Sequence, residues 1–292
     1  MKYKIKHTTS YSYSGLVSLC QNQARLTPQN HRGQICHNSY IEISPQTSYL
    51  QEYTDYFDNK VTVFEITTQH KRLEVTVISE VELLADANKN LPNVHLPWEK
   101  AQEMLANHGT HDLLKASEFV LPSQLTPIDE NIKAYALVSF PPGINLIRGC
   151  EDLMARIFHE FHYDPGFTTI TTPLSEVFAE KRGVCQDFAH FALACLRSIG
   201  LAARYVSGYI ETFPPEGQQK LEGSDATHAW FAVFVPDFGW LDFDPTNNVL
   251  PNGQHITLAV GRDFSDVTPL KGVVFGGGAQ RLGVAVDMTR LE

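Results

Sequence analysis

One cysteine in the sequence has the surroundings of a nucleophile. Cys185 opens a segment whose apolar residues recur every three or four positions, which predicts a helix over about 185–199 that ends before Gly200. A cysteine in the first turn of a helix lies among unpaired backbone N–H groups at the positive end of the helix dipole, and this position favours thiolate over thiol. Cys185 is therefore a candidate nucleophile, and an ordinary buried cysteine is the alternative.

A histidine and an aspartate further along the chain could complete a catalytic site. His228 opens an aromatic and β-branched strand, and a second short strand ends at Asp244. If the loop between these strands is odd, with Phe234 opposite Trp240, His228 and Asp244 become diagonal neighbours on one face. An even loop would place them on opposite faces. In the first register His228 accepts the proton of Cys185, and Asp244 fixes the tautomer and orientation of the imidazole.

The sequences around these residues resemble the three motifs of the transglutaminase-like superfamily, whose catalytic core is papain-like. The motifs are the segments 182–189, 228–230 and 243–246. They occur in the family's order, 43 residues apart from the cysteine to the histidine and 16 from the histidine to the aspartate. By this resemblance Cys185, His228 and Asp244 occupy the catalytic positions.

The remaining chain resembles a bacterial branch of that superfamily. Residues 1–85 alternate apolar and polar side chains, which predicts an antiparallel β domain with one solvated face. Segments 25–28, 55–61 and 261–269 are similar to those of the bacterial branch, in which such a domain precedes the core.

We therefore expect an α+β fold with a papain/transglutaminase-like core and an all-β N-terminal domain. The expected parts are the β domain over 1–85, a linker with short helices over 86–127, and the catalytic core over 128–292. In the core, the helix that carries Cys185 packs on an antiparallel sheet that carries His228 and Asp244.

Further residues around the expected cleft are weaker candidates. The first oxyanion donor is expected to be the backbone N–H of Cys185. Tyr163 resembles an aromatic residue that precedes the catalytic helix in the superfamily, so Tyr163 or Trp230 could supply the second donor or support the cleft. The bacterial branch places Arg262 and Asp263 near the cleft, which makes them candidate substrate contacts.

Several polar residues near the motifs are interpreted as structural. Asp187 lies in the first helical turn, where a carboxylate favours the positive end of the helix. His190 lies about 140° around the helix from Cys185 and is a poor base for it. Cys195 belongs to the apolar stripe of the helix. Arg204 could pair with Asp187 or line the cleft, and the sequence does not distinguish these roles.

The sequence gives no support for a metal or nucleotide site. His108 and His111 lie three residues apart beside Asp112 without a recognised ligand spacing, and we interpret them as surface histidines. Segment 159–162 lacks the four-residue spacing of two zinc-binding histidines on a helix. Glycines 276–278 precede a strand-like run instead of the lysine and helix of a phosphate loop. The superfamily implies no cofactor, and the acidic loops that bind calcium in some animal relatives cannot be located.

Composition restricts the possible partners. The chain has 292 residues, of which 43% are hydrophobic and 19% charged, as in a folded protein of about two domains. A net charge of −10 without an extended basic cluster argues against nucleic acid or an anionic membrane as a partner. We see no signal peptide or membrane span. Five cysteines without a CxxC pair predict free thiols and a cytoplasmic protein.

The resemblance implies acyl transfer on an amide through a thioester. Water as the acceptor would make the enzyme a peptidase or amidase, and a primary amine would make it a transglutaminase. We expect hydrolysis of a peptide or protein amide, because no feature marks an amine-acceptor site. The alternatives are a protein-glutamine transglutaminase, a non-catalytic relative that binds peptides in its cleft, and a cysteine/histidine metal enzyme. The N-terminal β domain could also dock a partner protein.

Overall fold

The computed structural model describes residues 1–84, 95–169, 172–212, 223, 225–251 and 253–291. The strands are β1 (Lys2–Ala24), β2 (Gln34–Ser44), β3 (Tyr49–Thr54), β4 (Lys60–Ile66), β5 (His70–Leu83), β6 (His162–Tyr163), β7 (Arg182–Gly183), β8 (Ala203–Ile210), β9 (Ala226–Val235), β10 (Gly239–Phe243), β11 (His255–Gly261), β12 (Leu270–Gly276) and β13 (Gln280–Leu291). The helices are α1 (Trp98–Asn107), α2 (His111–Ser117), α3 (Glu130–Ser139), α4 (Leu146–Glu160), α5 (Leu174–Glu180), α6 (Cys185–Ser198) and α7 (Phe264–Val267), with a 3₁₀ turn at Glu118–Val120. Within these ranges, every helix is too short or too polar to cross a membrane.

The larger sheet is built around β1. Two pairs of consecutive strands run antiparallel to this long strand. The first pair is β4 and β5, and the second is β12 and β13. Strand β2 pairs with β5, and β3 pairs with β4. Side chains along the first half of β1 alternate between buried and exposed, as expected where one face of a strand covers a core. The predicted N-terminal β domain is therefore confirmed.

The last two strands belong to the larger sheet and not to the catalytic sheet. The pairing of β1 with β13 runs from Lys2 opposite Leu291 to Tyr13 opposite Gln280. The expectation that 128–292 forms a single core unit therefore differs from the structure. The physical reason is that β4 and β5 pair along one side of β1, so its other side needs a partner for its backbone groups.

The catalytic sheet has the strand order β10-β9-β8-β11 with antiparallel neighbours throughout. One face of this sheet packs against α6, where Phe231 and Val233 share a buried cluster with Ala192 and Leu196. The helix ends before Gly200, whose φ of +76° suits a glycine. The expected α+β core, with the cysteine helix on an antiparallel sheet, is confirmed.

Side-chain amides from the N-terminal region close the free edge of β11. Gln34 donates from Nε2 to the carbonyl of Thr257 and accepts its N–H at Oε1, both at 2.8 Å. Asn59 makes the equivalent pair of bonds with Val260, again at 2.8 Å each. These amides replace the hydrogen bonds of a further strand, so they fix the two sheets against each other.

Candidate active site

Cys185 is the first residue of α6 and is partly exposed. The turn before it is held by Asp187, whose Oδ2 accepts the N–H of Val184 at 2.8 Å and the hydroxyl of Thr168 at 2.6 Å. Gly183 lies directly against this carboxylate, because a Cβ at Gly183 would come within 2.8 Å of the Asp187 Cβ. The contacts of Asp187 are those of a helix cap, and they place the Cys185 sulfur at the N-terminus of α6.

Lys181 anchors the chain just before the nucleophile. Its ammonium lies 4.2 Å from the ring centroid of Phe178, 4.3 Å from that of Tyr135 and 4.4 Å from that of Phe161. Glu160 adds an ion pair at 3.6 Å. A cation against several ring faces is attracted by each of them. The aromatic cage of Lys181 therefore fixes the segment that enters α6, while β7 pairs with β6 alongside it.

The hairpin of β9 and β10 has the register that the sequence predicts. Trp240 lies opposite Phe234, so the loop is odd. His228 Nε2 lies 2.7 Å from Asp244 Oδ2, and the two residues are 7% and 0% exposed. The prediction that they share a face of the sheet is confirmed, and Cys185 lies close enough to His228 to contribute to the raised pKa of its imidazole.

The hydrogen bonds of this group determine its charges. Burial alone would lower the pKa of His228, but the hydrogen bond to Asp244 and the proximity of Cys185 outweigh burial and raise it to about 10. Burial likewise disfavours the charged form of Asp244, yet bonds from His228 and His255 hold the pKa of this carboxyl well below its usual range. With Nε2 on the carboxylate, Nδ1 is the ring nitrogen left for the thiol. The arrangement favours an imidazolium at His228 beside the carboxylate of Asp244.

Two residues that the sequence analysis missed also bind Asp244. His255 Nε2 lies 2.9 Å from Oδ2, and Asn247 Nδ2 donates to the same oxygen at 2.7 Å. Oδ1 accepts the backbone N–H of Thr246 at 2.9 Å and that of Asn247 at 3.3 Å. Asn247 directly follows the third motif, in a turn of the kind that an aspartate caps, and this was a usable signal. No local pattern indicates His255.

The group of His228, Asp244 and His255 could also hold a metal ion, since its three ligand atoms lie within 4.8 Å of one another. Each of the short contacts in it is accounted for by an imidazole N–H that donates to a carboxylate. A metal would have to displace both of these protons. By contrast, His108 and His111 are exposed at the end of α1 and the start of α2.

Trp230 supports the site from within the sheet. Its ring centroid lies 5.9 Å from that of His228 and 5.3 Å from that of His255, to which it is nearly perpendicular. The ring lies over Gly208, where a Cβ would overlap the Trp230 ring and the carbonyl oxygen of Ile256. Because Trp230 is 0% exposed, its N–H is not presented to a substrate. Of the two roles expected for Trp230, this leaves support of the cleft.

Tyr163 lies beside the nucleophile. It pairs with Gly183 through β6 and β7 and is 49% exposed. Burial, followed by the charge of Cys185, raises the pKa of its hydroxyl. Tyr163 therefore remains a candidate second oxyanion donor at the rim of the cleft.

The two residues that were expected to contact a substrate bind other residues of this chain instead. Asp263 is buried and caps α7, where it accepts the N–H of Ser265 at 2.8 Å. Arg262 bonds Asp266 through Nε at 2.9 Å and through a second guanidinium nitrogen at 3.1 Å. Asp263 is therefore a capping residue, because its carboxylate is bonded and out of contact with solvent. The guanidinium of Arg262 is half exposed but already paired.

The other polar residues near the motifs have structural contacts. His190 Nε2 accepts the N–H of Phe264 at 3.2 Å, and burial lowers the pKa of His190 to about 4, so it is neutral and joins α6 to α7. Arg204 adopts neither expected role, because its guanidinium lies 4.4 Å from the Trp240 ring centroid. Cys195 is fully buried, and burial raises the pKa of its thiol.

A cavity of about 760 Å³ opens beside the first turn of α6. Gln186 and Asp187 line it on the helix side, and Ile132, Leu174 and Phe264 contribute apolar surface. A concave, mostly apolar site with a few polar groups suits a side chain of a bound molecule.

Comparison with known proteins extends this picture. The family model described as "Bacterial transglutaminase-like N-terminal region" matches residues 3–82, and that of the "Transglutaminase-like superfamily" matches residues 146–245. An uncharacterized protein of Mycobacterium tuberculosis is 36% identical over 302 residues, covering 100% of this chain and 93% of that protein. A protein-glutamine gamma-glutamyltransferase of Pseudomonas aeruginosa is 28% identical over 137 residues, covering 43% of this chain and 20% of that protein.

A solved structure has the same fold along the whole length. The crystal structure of a candidate cysteine protease from Cytophaga hutchinsonii superimposes with a TM-score of 0.75 at 19% identity, covering 100% of this chain and 91% of that chain. The match to the N-terminal model precedes the match to the superfamily model, as expected. The mycobacterial relative is similar over nearly its entire length. The chain therefore belongs to the transglutaminase-like superfamily, and it carries the bacterial type of N-terminal region.

Proposed function

We propose that this protein is a cysteine-dependent acyl-transfer enzyme that acts on amide bonds through Cys185, His228 and Asp244. One observation carries the proposal: the buried imidazole of His228 binds the carboxylate of Asp244, and it lies near enough to Cys185 for the two to interact electrostatically. A nucleophile, a base and a group that orients the base thus lie together in the order that acyl transfer requires.

The reaction begins when the thiolate of Cys185 attacks the amide carbonyl. The resulting oxyanion is stabilised by the N–H of Cys185 at the start of α6 and by Tyr163 at the rim, and one such donor contributes about 3–4 kcal/mol. His228 then gives its proton to the leaving amine as the carbon–nitrogen bond breaks, which leaves a thioester. In the second half His228 takes a proton from the acceptor, and the acyl group leaves Cys185 as the thiolate reforms.

We propose hydrolysis of a peptide or protein amide as the main reaction, and the cavity of about 760 Å³ beside α6 has room for part of a bound peptide. Transamidation is the second candidate. The observation in its favour is the similarity of part of this chain to the Pseudomonas gamma-glutamyltransferase. Both reactions share the thioester, so access of water or of an amine to it determines the product.

The first test needs no knowledge of the substrate. The rate at which iodoacetamide alkylates each cysteine is measured against pH by peptide mass spectrometry, in the wild type and in His228→Ala. Cys36 is the internal control, because it is also partly exposed, while burial raises the pKa of its thiol. We expect Cys185 to react much faster than Cys36 below pH 8, and the difference to disappear in His228→Ala. Equal alkylation rates of Cys185 and Cys36 in the wild type would show that Cys185 is not an activated nucleophile and would refute the proposal.

The second test separates the two candidate reactions. A set of glutamine-containing peptides is incubated with and without a dansylated primary amine, and Cys185→Ser is the control for background. Free acid or a cleaved peptide as the main product supports hydrolysis. Dansyl incorporation as the main product at millimolar amine would establish the second candidate instead.

The pH dependence of activity tests the role of His228. Because the pKa of His228 is raised to about 10, the imidazolium persists through neutral pH, and activity should fall only as the pH approaches 10. In Asp244→Asn a main cause of the raised pKa is gone, so the alkaline limit of kcat/KM should move toward about 6.5, the ordinary value. An unchanged alkaline limit in this variant would show that Asp244 does not act on His228.

A further inference from the structure

We propose that His255 is a positioning residue of this site: it holds the carboxylate of Asp244 so that Asp244 can hold the imidazole of His228. This inference rests on the proposed function. His255 lies outside the three motifs, and its imidazole approaches the carboxylate from another strand.

Two imidazoles converge on one carboxylate oxygen. His228 Nε2 and His255 Nε2 lie 2.7 and 2.9 Å from Asp244 Oδ2, and the ring centroids of the histidines are 6.0 Å apart. The histidines lie on β9 and β11, with β8 between them. Gly208 of β8 pairs with His228 and has no side chain, which leaves room for the Trp230 ring that both imidazoles contact.

The contacts of His255 define its protonation. A carboxylate oxygen only accepts, so the Nε2 that faces it carries the proton. Nδ1 of His255 is buried and lacks a hydrogen-bond partner among the described residues, so the bond to Asp244 is the one that orients this ring. His255 thus gives Asp244 a hydrogen bond through Nε2.

The hydrogen bond from His255 restrains Oδ2 of Asp244, which is the oxygen that also binds His228. Without it, the carboxylate keeps its bonds to His228, to Asn247 and to the backbone N–H of Thr246, but it loses the donor that approaches from β11, so Oδ2 can shift relative to the imidazole of His228. The imidazole of His228 would then lose its fixed direction toward Cys185. Since His255 is 6% exposed and belongs to the far edge strand, its loss should lower kcat and leave KM almost unchanged.

Two substitutions separate hydrogen bonding from packing. His255→Phe keeps a ring against Trp230 and removes the donor, whereas His255→Gln keeps a donor of similar reach and removes the ring. We expect His255→Phe to lower both kcat and the alkylation rate of Cys185 by about tenfold, the loss typical of one hydrogen bond to a charged group. His255→Gln should stay within about threefold of the wild type, because it still donates to the carboxylate.

Three results would overturn the inference. One is a His255→Phe enzyme with wild-type rates. Another is the reverse order, with Gln the poorer variant, which would make His255 a packing residue. The last is a stoichiometric metal in purified wild type that both variants lose, because His255 would then be a ligand. Circular dichroism monitors folding, and His255→Leu replaces His255→Phe if the latter does not fold.

The outcome for His255 can be distinguished from the outcome for the whole site. If Cys185 of the wild type reacts no faster than Cys36, the proposed function itself fails, whatever the variants do. If Cys185 is activated in the wild type and equally activated in His255→Phe, the triad stands and only the role of His255 is refuted.

Discussion

The two halves of the site are held in different ways. Cys185 is positioned by the turn that enters its helix, through the cap of Asp187 and the aromatic cage around Lys181, and it is partly exposed. The pair of His228 and Asp244 is buried and depends on strands distant in sequence, among them the one that carries His255. This difference indicates that the nucleophile can be changed without disturbing the fold, whereas the imidazole–carboxylate half is part of the protein core.

The largest expected contrast is between Cys185→Ala and Asp244→Ala. Both should lower kcat/KM by about 10⁴-fold or more, because triad residues act as a unit. Only Asp244→Ala should lower the free energy of unfolding, by about 3 kcal/mol, since it leaves the buried N–H groups of His228 and His255 without an acceptor. Urea unfolding of both variants checks this. Equal loss of stability would mean that the two halves are held alike.

The next effect concerns the space between the histidines. Gly208→Ala places a methyl group where the Trp230 ring and the Ile256 carbonyl already lie, so we expect a loss of about 1–3 kcal/mol in stability and a fall in activity. Gly109→Ala is the matched control, since a Cβ there meets no atom within 4 Å. If Gly208→Ala unfolds at the same urea concentration as Gly109→Ala, the packing beneath the site is looser than described.

Acidic pH should lower the free energy of unfolding through His7, which joins β1 to the catalytic sheet. His7 is 2% exposed, its Nδ1 lies 2.9 Å from the hydroxyl of Tyr209, and burial lowers the pKa of His7 to about 4. The unfolded chain binds a proton at His7 below about pH 6.5, so the stability from its neutral form is complete above that pH and is lost progressively as the pH falls from about 6.5 to about 4. The contribution is about 3 kcal/mol at most.

Urea unfolding between pH 7 and pH 4.5 measures this loss. In His7→Gln the decline with falling pH should be less steep, because the group that titrates is absent. The same slope in both proteins would assign the acid sensitivity to other groups.

The smallest effect is expected on the side of the nucleophile. Lys181→Met keeps the aliphatic stem and removes the cation from the aromatic cage, which should cost about 1–2 kcal/mol. Alkylation of Cys185 should slow by less than about threefold, since Asp187 still caps the helix. Lys100→Met, at an exposed ion pair with Glu103, is the matched control. A larger loss of Cys185 reactivity than of stability would show that the cage orients the thiol directly.

The parts of the site that could be predicted from the sequence are those set over short distances along the chain. The helix that begins at Cys185 follows from its apolar period, and the diagonal contact of His228 with Asp244 follows from an odd hairpin loop. In both cases the geometry depends on residues close together in the sequence.

What escaped prediction depends on pairings between distant strands. His255 reaches Asp244 only in the β8–β11 register, which shifts between Thr257 and Ala259. Asp263 was expected to face a substrate, but it lies at the start of a four-residue helix that the sequence pattern did not reveal, and it caps that helix. The pairing of β12 and β13 with β1 joins segments more distant still.

This last pairing has a mechanical consequence. Lys2 lies directly opposite Leu291 in an antiparallel ladder, so force applied at these two residues loads the outermost pair of hydrogen bonds first. The hydrogen bonds of the ladder would then break one pair at a time, each at a low force. Asp225, directly before the strand that carries His228, bridges Val286 of β13, so tension that opens the ladder as far as Val286 is passed on to that strand.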